Sequence, residues 1–376
     1  MSKTEKLLRE IIALPSVNPA FIPANHPHAG EQRVADFLAV TAARAGLEVE
    51  FQKVLPGRSN LIAHLRPRNK IRQTILVAPH LDTVPAASDS QFQPKKKGDR
   101  LFGRGACDTK GSVAAMLTAL CELAQSKTRP IETEIIFAGL VDEENAQAGS
   151  RTFADIGLKA DLAIVGEPTQ LKIVTAHKGN LWLQLETQGR SAHGARPELG
   201  SNAIHAMARI VDALETDYAA ELRQRRHPLL GSATVNVGVI CGGTQPNIVP
   251  NRCAITLDRR TLPGETEITV KREIAVFLAK RKLRATFSNA RLAPCLPLET
   301  DSRLPLVQQF LRSAGQRQPV GVHYFCDAAV LAEGGIPSVV FGPGDIAQAH
   351  TSDEWISLRS LERAKDILVN YFKSLP

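Results

Sequence analysis

The 376-residue sequence is poor in aromatic rings: they make up 5% of it, with three tyrosines and two tryptophans. Proteins that grip single-stranded nucleic acid stack bases on such rings. The formal charge of +8 therefore reads as solvated basic faces at 95–97, 223–226 and 280–284, with attraction for small anions. No nucleic-acid partner is expected. No apolar run approaches the about 20 residues that a membrane-crossing helix needs, so no membrane partner is expected either. The six cysteines (107, 121, 241, 253, 295 and 326) include no C-x-x-C pair. They read as reduced thiols, and the expected location is cytoplasmic. The opening MSKTEKLLREIIALPSV is charged and helix-patterned, and it lacks the continuous apolar core of a secretory signal. A chain of this length is expected to form two domains.

What is present is a recurring layout. ILVAPHLD (75–82) is an apolar run ending in His80, with Asp82 two residues on. Residues i and i+2 of a strand share a face, so Asp82 is expected to buttress His80, as carboxylates do for metal-bound imidazoles. EIIFAGLVDEE (134–144) ends in Asp142, Glu143 and Glu144. LAIVGEP (162–168) ends in Glu167, and SVVFGPGDIAQAH (338–350) ends in a Gly-Pro-Gly turn and His350. Four buried-strand candidates each deliver a histidine or an acid beyond their C-terminal ends, where open α/β sheets bind ligands.

Between these runs the pattern is helical. Leu7, Leu8, Ile11 and Ile12 share a face, and Ser2 with Glu5 fits a capping box. Gly30 to Ala45 reads as a helix with Val34, Phe37, Leu38 and Thr41 inward and Gly46 closing it. Strands are expected near 47–54 and 59–65. GRGACDTKG (103–111) precedes a helix over 113–123, and Asp108 stands where a carboxylate also serves as N-cap.

From Lys178 the pattern changes. GNLWLQLETQG (179–189) alternates like a half-exposed antiparallel strand. A helix, two strands around a Gly-Gly turn, a helix over 268–278 and a strand near 283–287 follow. This β-α-β-β-α-β order is ferredoxin-like. Residues 178–291 are therefore expected to form a small α+β domain inserted into an α/β domain built from 1–177 and 292–376. The larger domain would resume near Ala293 and end in a helix over 360–373.

The candidate ligands are His80, Asp108, Glu144, Glu167 and His350, a nitrogen and carboxylate set that suits zinc. Five side chains exceed the three protein ligands of a single catalytic zinc and fit two metals if one carboxylate bridges. Two Zn²⁺ with three carboxylates and a hydroxide nearly cancel in charge, so the cluster can be partly buried. Glu143, pointing away from Glu144, is free to act as general base and acid. The histidines at 26, 28, 64, 177, 205, 227 and 323 lack convincing partners and read as structural or exposed.

HLDTVP, GRGACDTKG, DEE, VGEPT, SAHGARP and GPG…AHTSDEW stand in an order that resembles the acetylornithine deacetylase / succinyl-diaminopimelate desuccinylase family of di-zinc amidohydrolases, relatives of aminoacylases and glutamate carboxypeptidase. The resemblance covers essentially the whole chain. It implies a zinc-peptidase-like catalytic domain with a mostly parallel central sheet, and a lid and dimerisation domain at 178–291. It also implies two zinc ions, with cobalt or manganese as substitutes, bridged by Asp108. His80 and Glu167 would complete one site, Glu144 and His350 the other. Asp82 would orient His80, Glu143 would be the acid/base, and His193 would stabilise the oxyanion, in cis or from a partner subunit. Asn247, Arg260 and Gly342 would meet the substrate, with Arg259 the alternative to Arg260 and Gly344 a second glycine for close backbone approach. Thr109 stands where many relatives carry Met, and Cys107 reads as packing.

The implied activity is metal-dependent hydrolysis of an N-acyl L-amino acid amide by zinc-bound hydroxide. N-acetylornithine is the first choice of substrate, with a role in amino-acid biosynthesis. The alternatives are succinyl-diaminopimelate desuccinylation, a dipeptidase or carboxypeptidase, or a non-catalytic metal-binding protein. The implied assembly is a homodimer acting on a small molecule.

Overall fold

The computed structural model describes residues 1–23, 25–291 and 294–376. The chain divides into two units. One is Met1–Thr175 with Thr300–Val320 and Cys326–Pro376; the other is Ala176–Glu299 with Gly321–Phe325. The expected return of the larger domain near Ala293 lies outside the described residues.

In the first unit the strands Thr133–Gly139, Gln73–Pro79, Leu162–Gly166 and Ser338–Val340 lie side by side in that order, all parallel. Every residue of Thr133–Gly139 and Leu162–Gly166 is buried. Parallel strands covered on both faces favour near-continuous apolar runs, which is why residues 135–139 and Leu162–Gly166 do not alternate. The hairpin Glu48–Leu55 and Arg58–Leu65 extends the sheet antiparallel beyond Thr133–Gly139. Helix Lys110–Ala124 packs on the parallel strands, and Lys3–Ile12 and Leu358–Lys373 pack on that helix. Leu8, Ile11, Val77, Leu117, Phe137, Phe310 and Phe372 fill the core. Each large side chain buried this way contributes about 1.5–3 kcal/mol.

The register aligns Val77 with Phe137, Pro79 with Gly166, and Val340 with Val165. The chain therefore leaves these four strands along one C-terminal edge, and each exit carries candidate ligands.

Three local expectations are corrected. The Ser2 hydroxyl accepts the Glu5 N–H at 3.0 Å, but Glu5 does not return the bond. Its carboxylate takes Arg9 at 2.9 Å and Lys96 at 3.2 Å instead, because cations in reach outcompete a backbone donor. Helix Gln32–Arg44 buries Val34, Ala35, Leu38, Ala39 and Ala42. Phe37 and Thr41 sit half-buried at its rim, on the boundary of the stripe that the i, i+4 rows define. Strand Thr286–Asn289 begins three residues later than Leu283. The close of Gln32–Arg44 is as read: Gly46 has φ +92°, its N–H meets Ala43 O at 3.0 Å, and Leu47 N–H meets Ala42 O at 3.1 Å, the Schellman pair.

The second unit contains strands Gly179–Gln188, Thr234–Gly242, Arg252–Thr261 and Thr286–Asn289 with helices Ala203–Ala213 and Glu267–Lys280. The sheet runs Thr234–Gly242, Arg252–Thr261, Gly179–Gln188, Thr286–Asn289, antiparallel throughout. One face is covered, so Gly179–Gln188 alternates: Leu181, Leu183 and Leu185 point into a core with Met207, Ile210, Ile274 and Phe277. Among the described residues no helix is long and apolar enough to cross a membrane.

Candidate metal centre

Strand Gln73–Pro79 ends one residue before His80, which forms a bridge with Leu140. The His80 Nε2 lies 3.1 Å from Asp108 Oδ1 and 3.8 Å from Glu167 Oε1. The other oxygen of Asp108, Oδ2, lies 3.3 Å from His350 Nε2, which is 3.1 Å from Glu144 Oε2. Two triads result: His80, Asp108 and Glu167; and Asp108, Glu144 and His350. Asp108 belongs to both and offers a separate oxygen to each. In each triad the donor atoms lie within 4.8 Å of one another. A tetrahedral zinc with bonds near 2.0–2.2 Å sets its ligand atoms about 3.3–3.6 Å apart. The donor types and their spacing thus fit two divalent cations.

The charges agree. Burial and the neighbouring acids push the Glu143 and Glu167 carboxyls well above the usual range. Burial also acts to raise Asp108, but His350 and His80 overrule it and hold Asp108 below the usual range. Hydrogen bonds to Asp108 and Glu144 raise His350 to about 10. Four acids crowded in a dry pocket need cationic charge.

Asp108 does not cap the following helix. Thr109 occupies that place, without a side-chain cap bond, and the Asp108 carboxylate is spent on the two histidines. Asp82 lies beside His80. The His80 Nδ1 meets the main-chain carbonyl of Asp82 at 3.0 Å, with the Asp82 carboxylate at 3.5 Å. The carboxylate also accepts the N–H groups of Glu143 and Glu144, each at 3.1 Å, and Asn18 Nδ2 at 2.8 Å.

Behind this loop runs a buried chain of polar contacts. Asn18 also donates to Asp142 at 3.0 Å. Asp142 pairs with Arg58 at 3.0 Å, and Arg58 pairs with Glu31 at 2.5 Å. Asp142 itself has φ +71°, a left-handed backbone that a non-glycine adopts only where surroundings impose it. The Glu143 side chain makes no hydrogen bond or ion pair among the described residues, which leaves it available to exchange protons.

The other sequence-derived positions are placed as follows. Gly342 is buried; its N–H donates to Thr169 Oγ1 at 3.1 Å and its carbonyl accepts from Leu171 at 3.0 Å. A Cβ there would stand 2.4 Å from Glu167 O and 2.4 Å from Ser112 Oγ. The glycine thus serves close packing beneath Glu167, with both backbone groups engaged. Gly344 (φ +90°) likewise leaves no room, since a Cβ would stand 2.6 Å from Cys107 Sγ. In the second unit His193 is exposed and forms a bridge with Ile248, and Gly194 N–H reaches Asn247 O at 2.7 Å. Two loops that carry candidate residues are therefore paired. Arg259 is 0% exposed in its side chain and is occupied by Glu265 at 2.8 Å and Tyr218 at 3.3 Å. Arg260 is partly exposed, with Asp258 at 3.0 Å.

Sequence reasoning missed Asn18, Glu31, Arg58, Arg104 and Glu354. Glu354 alone carried a usable signal, an acid four residues after His350. Asn18, Glu31 and Arg58 lie outside the ligand-bearing runs, and Arg104, inside GRGACDTKG, reads there as one more basic residue.

The model described as Peptidase family M20/M25/M40 matches residues 76–374. Acetylornithine deacetylase of Myxococcus xanthus is 32% identical over 349 residues, 89% of each chain. Its counterpart in Edwardsiella ictaluri is 32% identical over 362 residues, 93% of this chain and 92% of that one. Among solved structures, the M20 family metallo-carboxypeptidase Sso-CP2 from Sulfolobus solfataricus superposes with a TM-score of 0.77 at 20% identity, covering 99% of both chains. The aminopeptidase PepT from Bacillus cereus superposes at 0.79 and 22% identity, covering 99% and 97%.

Proposed function

The chain belongs to peptidase family M20/M25/M40, metal-dependent hydrolases of amide bonds, and on that premise we propose that it deacylates an N-acyl L-amino acid, N-acetyl-L-ornithine first. The observation that carries this reading is the pair of triads sharing Asp108, with the unengaged Glu143 on the same loop as Glu144. The substrate choice is supported by relatives named acetylornithine deacetylase at 32% identity over about nine-tenths of the chain.

Divalent cations held by His80, Asp108 and Glu167, and by Asp108, Glu144 and His350, would supply Lewis acidity toward the acyl carbonyl and lower the pKa of an attacking water. We take zinc as the resident metal, with cobalt or manganese as substitutes. Glu143 takes a proton from the attacking water onto its carboxylate and returns it to the nitrogen of the leaving amine. Asp82 holds Glu143 and Glu144 in place through their N–H groups. His193 donates to the oxyanion as the carbonyl becomes tetrahedral, from a partner subunit in a homodimer built through the second unit. Arg260 is the better carboxylate binder, because Arg259 is spent inside its own unit; a guanidinium fork matches a carboxylate. Asn247 joins it. The setting is cytoplasmic.

The test is amine release by zinc-loaded protein from N-acetyl-L-ornithine and from N-succinyl-L,L-diaminopimelate, with Glu143→Gln as the blank. Turnover of the acetyl substrate is expected. Preference for the succinyl substrate would replace the first choice with the desuccinylase reading. Activity on neither, nor on dipeptides, would overturn the deacylase reading.

A further inference from the structure

Glu354 lies four residues past His350 and is 1% exposed. Its carboxylate is saturated. Oε1 accepts the N–H of Cys107 at 2.8 Å and of Asp108 at 3.0 Å. Oε2 accepts the N–H of Gly105 at 2.9 Å and Arg104 Nη1 at 2.7 Å. Arg104 Nη2 then donates to the carbonyl of Thr351, the residue after His350, at 3.1 Å. With both oxygens used, Glu354 has no capacity left for a metal. It holds the turn that presents Asp108 against the segment that presents His350.

The two triads differ in what fixes them. His80 and Glu167 each follow directly on strands that are hydrogen-bonded neighbours, with Pro79 opposite Gly166. The sheet itself sets their spacing. His350 has no strand behind it: its side chain is 54% exposed and its backbone is left-handed, φ +61°. Its position relative to Asp108 depends on loop contacts: Asp345 before it meets Cys107 Sγ at 3.2 Å, and the residues after it meet the backbone of Asp108 itself. We propose that Glu354, with Arg104, is a positioning residue that sets the spacing of His350 and Asp108, and so governs the cation affinity of the Asp108–Glu144–His350 triad far more than that of His80–Asp108–Glu167. This rests on the reading of both triads as metal sites.

Glu354→Gln tests the carboxylate rather than the fold. The pairing of Trp355–Ser357 with Arg100–Phe102, which brings the two segments together, does not involve the side chain. The amide replaces one acceptor oxygen with a donor that faces donors, and it takes away the carboxylate charge paired with Arg104. The experiment is calorimetric titration of metal-free protein with Zn²⁺ against a competing chelator, repeated with Co²⁺ and followed by visible absorbance. Wild type is expected to bind two ions. The variant is expected to keep one affinity near wild type and lose about 10–100-fold in the other, the usual size of an effect one contact removed from the metal. Arg104→Lys keeps the charge but not the fork to Thr351 and Glu354, so it should weaken the same ion several-fold; it decides the matter if Glu354→Gln does not fold. Two affinities within twofold of wild type in the folded variant, or two lowered by one common factor, would overturn the proposal. A wild type that binds fewer than two ions would sink the two-metal reading, and this proposal with it.

Discussion

The carboxylate of Asp82 accepts the backbone N–H of Glu143 at 3.1 Å. A residue next to a ligand on one strand exit thus fixes the main chain of the proposed acid/base on another. The same carboxylate holds the N–H of Glu144, so proton transfer and metal ligation share one support. The chemistry of the centre is only as well placed as this buried acid.

Glu143→Gln keeps the shape of the side chain and the N–H bond to Asp82 but cannot carry a proton. Turnover should fall by about 10²–10⁴-fold, while metal content measured by elemental analysis stays at wild-type level. Near-normal turnover would remove Glu143 from the mechanism. Mixed with a His193→Ala variant, it should regain some activity if His193 acts across a dimer. No recovery after verified subunit exchange would place His193 in cis.

Arg58 is paired with both Glu31 and Asp142, and all three side chains are at most 10% exposed. Arg58→Met leaves two buried acids without a counter-charge, a loss of about 3–5 kcal/mol. Thermal melts should show the drop, and Glu31→Gln in the same chain should recover part of it. Melts unchanged from wild type would show that the chain of contacts behind the Glu143 loop contributes little.

Gly342→Ala places a methyl 2.4 Å from Glu167 O. Relief requires a shift of the Glu167 exit or of Ser112, at about 1–3 kcal/mol. Because Glu167 belongs to one triad, Zn²⁺ affinity should weaken along with the melting temperature. A variant that lost only substrate affinity, with stability and metal binding intact, would return Gly342 to the substrate-contact role.

His177 is buried, donates through Nδ1 to the carbonyl of Lys178 at 3.0 Å, and has no partner for Nε2 among the described residues. Burial lowers its pKa to about 4, against about 6.5 in the unfolded chain. Between these values the unfolded chain binds a proton that the folded one refuses. The stability contributed by neutral His177 is whole above pH 6.5 and is lost as pH falls toward 4, about 2 kcal/mol of it by pH 5. His177→Asn keeps the donor and removes the titration. Denaturant melts at pH 7.5 and pH 5 should show the variant losing about 2 kcal/mol less than wild type; equal losses would contradict the assignment.

The sequence by itself determined much of this protein. Unbroken apolar runs marked the doubly covered parallel strands, and alternation marked the one-faced strand Gly179–Gln188. The side chains following those runs, His80, Glu144, Glu167 and His350, were legible as a set, because parallel strands in register must deliver their exits to one edge. What only the tertiary structure decided is which atom meets which. Asp108 divides its two oxygens between two histidines, Asp82 joins His80 to the backbone of the Glu143 loop, Arg259 is buried on Glu265 while Arg260 stays partly exposed beside Asp258, and Glu354 reaches back 246 residues to the N–H of Asp108. Periodicity reports which face a residue takes, and it does so through burial, which is short-ranged along the chain and indifferent to direction. A hydrogen bond is set by ångström distances and angles between segments far apart in sequence, and those exist only once the sheet has closed its register.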